Sequence, residues 1–192
     1  MAHDVCPWWL GYFLASPIRK LRHDPVKILE PYLREGMTVL EPGPGMGFFS
    51  LEIARRIGAS GKLIAVDVQQ KMLDSLRRRA QRKNVSDRIE LRLATSDTMG
   101  ISDLNKKVDF VLAFAVVHEM PNAEKFFAES FAALKPGGTM LFSEPSDHIT
   151  AKEFENSLDL AKRVGFRLDG SPAISRSISA ELAKDKLTRS NR

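Results

Sequence analysis

Short apolar runs alternate along the chain with longer amphipathic stretches. The runs at 38–41, 63–67, 89–93, 108–114 and 139–144 recur at intervals of roughly 20–30 residues, the rhythm of strands joined by crossover helices. Most are nearly continuous in apolar residues, as parallel strands covered on both faces require. In the run at 89–93, Ile89, Leu91 and Leu93 alternate with Glu90 and Arg92, which predicts a strand at or near a sheet edge.

The intervening segments carry helical stripes. Phe49, Ile53 and Ile57 fall at i, i+4 and i+8, with Gly58 at the C-cap position. Met72, Leu73, Leu76 and Ala80 line a second, basic helix, and Phe127, Phe131 and Leu134 a third, ended by Pro136-Gly137-Gly138. Thr150 and Glu153 have capping-box spacing ahead of Phe154, Leu158 and Ala161, with Gly165 closing that helix. Ser16-Pro17 and Asp24-Pro25 each pair an N-cap residue with a first-turn proline, predicting two short helices before the sheet. Two further extended segments, 166–169 and 173–182, flank Gly170-Ser171-Pro172 and read as an antiparallel pair.

These patterns predict an α/β fold: a Rossmann-like, doubly wound sheet of seven strands, mostly parallel with an antiparallel last strand, and helices on both faces. Residues 1–36 are expected to form an N-terminal helical and aromatic cap of the same domain. Residues 37–182 are expected to form the ligand-binding unit, and 183–192 a frayed basic tail.

Composition adds little that conflicts. The 192 residues are 43% hydrophobic and 28% charged, ordinary for one globular domain. The net charge is +5, but clusters such as Arg77-Arg78-Arg79 and Arg82-Lys83 read as solvated helix faces. A single cysteine excludes an internal disulfide framework and suits a reducing compartment. The apolar stretch at 5–15 follows His3 and Asp4 rather than a basic segment and is shorter than the roughly 20 residues of a membrane span. A cytoplasmic protein without a membrane span is expected.

The most informative stretch is Glu41-Pro42-Gly43-Pro44-Gly45-Met46-Gly47-Phe48, joining a strand to an amphipathic helix. Alternate glycines allow a tight turn and close approach of a ligand to the backbone. The dinucleotide fingerprint G-x-G-x-x-G is not met, because its last glycine position is Phe48. Glu41 at the loop's start would repel a pyrophosphate and attract an amino group. Asp67 follows Gly47 by 20 residues, at a second strand end where a carboxylate can accept both hydroxyls of a ribose. Ser96-Asp97, beyond the third strand, offers an acceptor for an adenine amino group.

This arrangement resembles the class I S-adenosylmethionine-dependent methyltransferases over nearly the whole domain, most closely the group containing ubiquinone/menaquinone C-methyltransferases (the methyltransferase type 11 group). The landmarks are Glu41-x-Gly43-x-Gly45-x-Gly47, Asp67 in Ala65-Val66-Asp67, Asp97, and Leu134-Lys135-Pro136-Gly137-Gly138 before the fifth strand. The resemblance implies S-adenosylmethionine as cofactor and S-adenosylhomocysteine as product. Gly43 to Gly47 would border the methionine part, with Glu41 holding its ammonium. Asp67 would take the ribose diol, Val68 lie beside the adenine, Asp97 accept from its amino group, and Thr98 be the adjacent backbone contact. The backbone of Ala113 and Phe114 would face the methionyl end.

The acceptor side is sought beyond the fourth and fifth strands, where Val117-His118-Glu119-Met120-Pro121 and Ser143-Glu144-Pro145-Ser146-Asp147-His148 occur. His118, Glu144 and His148 are the candidate catalytic residues, His118 because its ordinary pKa lies near neutrality. Glu119 is read as a partner for backbone amides. A metal site joining Cys6, His118, Glu119, Glu144 and His148 is a weaker reading, unsupported by ligand-pair spacing, and no metal is expected. Trp8, Trp9 and Phe13 read either as a cover over the acceptor pocket or as helix packing. The expected partner is a small-molecule methyl acceptor. The alternatives are an RNA or protein methyltransferase, suggested by Arg19-Lys20, Arg22 and the basic tail, and a non-catalytic S-adenosylmethionine-binding module. One cysteine argues against multi-cysteine arsenite chemistry.

Overall fold

The computed structural model describes residues 23–186. Its elements are α1 (Pro25–Leu29), β1 (Thr38–Pro42), α2 (Ser50–Arg56), β2 (Lys62–Asp67), α3 (Gln70–Arg82), β3 (Ile89–Leu93), β4 (Val108–Phe114), α4 (Ala123–Ala133), β5 (Leu134–Pro145), α5 (Ala151–Val164), β6 (Arg167–Gly170) and β7 (Ser177–Ala183). The sheet has seven strands in the order β3-β2-β1-β4-β5-β7-β6. β3, β2, β1, β4 and β5 are parallel to their neighbours, while β7 runs antiparallel to both β5 and β6. The alternating strand β3 is at the edge, as its sequence implies.

Successive residues along a strand serve opposite cores. On β4, Phe110, Leu112 and Phe114 pack with Leu29, Leu33, Phe49, Ile53 and Leu76, facing α1, α2 and α3. Val111 and Ala113 pack on the other face with Phe126, Phe127, Phe154 and Leu158 from α4 and α5. Burial on both faces explains why these strands show no polar alternation.

The local stop and start signals act as read. Asp24 accepts a bond from the Val26 N–H ahead of Pro25. Thr150 and Glu153 form a complete capping box, and Gly165 closes α5 at positive φ. The Ser16-Pro17 helix and the aromatic segment lie outside the described residues.

Two boundaries differ from expectation. Leu134, placed by its spacing in the helical stripe, is already extended and opens β5 opposite Val108. Pro136-Gly137-Gly138 is therefore an irregularity inside β5: the pairing jumps from Val108–Leu134 to Phe110–Thr139. The expected basic tail is also docked at its start. Lys184 exchanges backbone bonds with Gly137 and Gly138. Its ammonium donates to the carbonyls of Phe131 and Leu134 at 2.6 and 2.8 Å, satisfying acceptors left open at the end of α4. At the last hairpin, residues 173–176 lie outside the strands and β7 starts at Ser177.

The Lys184 ammonium also stands over the Phe131 ring, 4.5 Å from its centroid, so Lys184→Met keeps an unbranched side chain but removes both donors and the cation–π contact. We expect a loss of about 1 kcal/mol of stability, measured as a lowered urea midpoint with unchanged cooperativity; an unchanged midpoint would mean the tail contributes nothing.

Candidate active site

The order of the sheet creates the site. Chain progression runs outward through β2 and β3 on one side of β1, and through β5 on the far side of β4. The loops leaving β1 and β4 therefore part at their carboxyl ends, the crevice where doubly wound sheets bind ligands. Gly43 and Val116 close its base. A Cβ on Gly43, at φ +63°, would lie 2.6 Å from the Val116 Cγ2 atom. Gly45, at φ +54°, has nothing within 4 Å of its Cβ position, so its open side is available to a ligand. Gly47 instead lies over Leu76 of α3. The Arg79 guanidinium donates to the Met46 carbonyl at 2.5 Å, so the third arginine of the triple run steadies this loop rather than a solvated face. Desolvation lowers its pKa.

Glu41 is only 3% exposed on β1. Next to it, Asp67 ends β2 and accepts from the Gln69 N–H at 2.9 Å and from the Gly45 and Val68 N–H groups. Burial nevertheless pushes the Asp67 carboxyl up to about 6, and the charge of Glu119 acts in the same direction. Val68 follows, 44% exposed for an apolar side chain. Asp97 lies exposed in the loop after β3. Thr98, beside it, donates from its hydroxyl to Glu129 of α4 at 2.5 Å. Glu129 was not singled out from the sequence.

Across the crevice, Ala113 is fully buried and the Phe114 ring packs against Phe49. The chain then turns at Ala115, at φ +56°, with its N–H donating to the Ser143 carbonyl at 2.8 Å. This turn delivers Val116 onto Gly43 and leads into the short 3₁₀ segment Val117–Glu119.

The two constellations sought on the acceptor side meet here. Glu144, 1% exposed near the end of β5, accepts from the Val117 N–H at 2.7 Å and the His118 N–H at 3.3 Å through Oε1. Its Oε2 takes His118 Nδ1 at 2.5 Å. That bond raises the pKa of His118, opposed by partial burial. On the other side of the ring, Nε2 lies 3.9 Å from Glu119 Oε1. The exposed His148 ring stands edge-on to His118, centroids 5.7 Å apart. Among the described residues no group of three or more His, Cys, Asp and Glu side chains is arranged to hold a metal ion; Cys6 lies outside them.

A family model described as a methyltransferase domain matches residues 33–190. The chain belongs to this methyltransferase-domain family. It is similar to an arsenite methyltransferase of Halobacterium salinarum, 30% identical over 109 residues, covering 57% of this chain and 27% of that protein. It is also similar to a ubiquinone/menaquinone biosynthesis C-methyltransferase of Brucella suis, 28% identical over 146 residues, covering 74% of this chain and 54% of that one. The chain thus spans about half or less of the length of these curated relatives. A solved S-adenosylmethionine-dependent methyltransferase from Aquifex aeolicus shares the fold, with TM-score 0.82, 23% identity, and coverage of 93% of this chain and 99% of that one.

The methyltransferase domain is of the class I, S-adenosylmethionine-dependent kind, and S-adenosylmethionine is its cofactor. The residues present fit that molecule: an open glycine backbone at Gly45, a desolvated carboxylate at the end of β2, and an exposed apolar side chain beside it. Among the described residues no helix is long and apolar enough to cross a membrane.

Asp67 also carries a stability signature. Its folded pKa of about 6 exceeds the ordinary 3.8, so the folded state takes up a proton more readily than the unfolded one between these values. Its contribution to stability is thus most favourable at low pH and is lost as pH rises through about 6. Relative to Asp67→Asn, the wild type is expected to gain stability as pH falls from about 7.5 to 5. Chemical denaturation of both proteins at each pH measures this; a pH-independent difference would contradict it.

Proposed function

We propose that the domain transfers a methyl group from S-adenosylmethionine to a small-molecule acceptor, with His118 as the general base. The observation that carries this reading is the His118–Glu144 contact beside the glycine loop. In its charged form Glu144 only accepts, so it holds a proton on Nδ1 and leaves the Nε2 lone pair free for catalysis.

Bound S-adenosylmethionine supplies an electrophilic methyl group on a sulfonium. Glu41 and the 43–47 loop receive the amino-acid end, and Asp67 accepts from the ribose hydroxyls. Val68 covers one face of the base, while Asp97 and Thr98 meet its amino edge. The backbone at Ala113 and Phe114 borders the methionyl end. His118 takes a proton from the acceptor at Nε2, and Glu144 stabilises the resulting imidazolium. His148, at the exposed edge, passes that proton to water.

His23, the first described residue, stands against the end of β4. Its Nε2 lies 2.9 Å from the Ser175 carbonyl, and its ring stands edge-on to Phe114 at 5.2 Å, so the chain enters the described region at the rim of β4. Trp8, Trp9 and Phe13, read from the sequence either as a cover or as helix packing, lie outside the described residues.

The test uses S-adenosylmethionine carrying a labelled methyl group, offered separately to a low-molecular-weight metabolite extract, total RNA and unfolded protein. Label in the small-molecule fraction is expected. Label in RNA or protein would support the alternative acceptors, and cofactor binding without transfer would support a non-catalytic module. With an acceptor identified, His118→Ala should lower kcat by about 10²–10⁴-fold while cofactor affinity is kept. Glu144→Gln should also lower kcat: its amide oxygen accepts the backbone N–H bonds, so its NH₂ faces Nδ1 and drives the ring proton to Nε2. In the wild type the rate should rise with pH as His118 loses its proton, at a higher pH than an ordinary imidazole because its pKa is raised. A rate that falls over that range would oppose the base role.

A further inference from the structure

The geometry points to Glu129 as a positioning residue for the cofactor's base, acting through the loop that carries Asp97. The inference rests on the proposed contact between Asp97 and the adenine amino group. Between β3 and the 3₁₀ segment Ser102–Leu104, residues 94–100 run outside any helix or strand. Glu129 grips this loop from α4 with both oxygens: Oε1 accepts from the Thr98 hydroxyl at 2.5 Å and Oε2 from the Met99 N–H at 2.8 Å.

These bonds extend into the loop. The Thr98 hydroxyl oxygen accepts from the Gly100 N–H at 3.1 Å, and the Thr98 carbonyl accepts from the Thr95 N–H at 3.2 Å. The Asp97 N–H in turn donates to Thr95 Oγ1 at 3.4 Å. Asp97 itself is exposed, so its place is set by this frame and not by packing. On the far side, Arg92 of β3 holds Asp103 with two nitrogens at 2.6 and 2.9 Å. That fixes the loop's exit, and the Met99 side chain is buried in the core, but the exposed Asp97 and Thr98 are held by Glu129 and the bonds within the loop. A carboxylate accepting two hydrogen bonds is a stronger and more directional tether than neutral contacts.

The consequence is selectivity for the adenine amino group. A fixed carboxylate at 97 favours an amino group at that edge and disfavours a carbonyl oxygen, which offers no donor. Calorimetry with S-adenosylhomocysteine and S-inosylhomocysteine, in which the amino group is replaced by a carbonyl, reads this out. Wild type should prefer the adenosyl compound, and Glu129→Ala should narrow that preference by about tenfold. The adenosyl compound should lose the affinity while the inosyl compound changes little. Glu129→Gln, which keeps an acceptor for Met99 and a donor toward Thr98, should restore most of the preference.

A preference left intact in Glu129→Ala would overturn the inference, as would an equal loss for both ligands, which is what general loosening produces. If the wild type binds both ligands equally, the Asp97 reading itself fails and this inference with it. Thermal denaturation checks that Glu129→Ala is folded. Should it not be, Thr98→Val, which leaves the Met99 bond in place, must narrow the preference in the same direction.

Discussion

The contact between Gly43 and Val116 is the constraint from which the active end of the molecule follows. A doubly wound sheet opens its crevice because consecutive connections diverge at the β1/β4 junction. Left to diverge freely, the two loops would form a wide, wet cleft. Here the Val116 methyl occupies space that any side chain at 43 would need, 2.6 Å from the missing Cβ. Bringing Val116 there requires Ala115 in the left-handed region, a conformation that costs a non-glycine residue roughly 1–3 kcal/mol. The Ala115 bond to the Ser143 carbonyl retains it. The loops after β1 and β4 and the end of β5 therefore form one unit, within which Glu144 fixes His118.

Burying carboxylates at that unit is expensive unless their oxygens are satisfied. Glu144 is satisfied by two backbone N–H groups and an imidazole. Asp67 differs: despite three backbone donors its pKa is still raised to about 6, so desolvation exceeds the compensation. A site that carries such a deficit has a binding energy in reserve for any ligand that adds donors. The hydroxyls of a ribose are donors of that kind. The same accounting separates the two acids: Glu144 is satisfied within the fold, whereas the proposed ribose contact would complete Asp67.

What was legible in the sequence was local. The glycine spacing, the strand-end acids, the capping box at Thr150 and the edge character of 89–93 each depend on a few neighbouring residues. The acceptor-side motifs could be named individually, and their convergence followed from the adjacency of β4 and β5. Less legible were contacts between elements distant in sequence. Val116 looks like any strand-flanking valine until Gly43 faces it. Lys184 looks like tail until the end of α4 needs donors. Leu134 carries helical spacing, but pairing opposite Val108 outweighs it. Arg79 left a usable signal: it follows Leu76 by three residues and Met72 by seven, on the buried side of α3, whereas Arg77 and Arg78 face solvent.

The position of the charges, more than their sum, bears on the choice of acceptor. Part of the basic charge is committed in ion pairs: Arg55 and Arg56 with Glu52, Lys62 and Arg92 with Glu90, Lys135 with Asp109. Lys62, Glu90 and Asp109 lie at the starts of β2, β3 and β4, the end of the sheet opposite the crevice. At the crevice end, Glu41, Asp67 and Glu144 sit near the strand termini with Glu119 in the adjoining loop. A polyanion would meet these carboxylates on its way to His118, whereas Arg19, Lys20, Arg22, Arg189 and Arg192 lie outside the described residues. A small neutral acceptor, as proposed, would enter the same field without that cost, and Glu144 would then stabilise the one positive charge that proton removal by His118 creates.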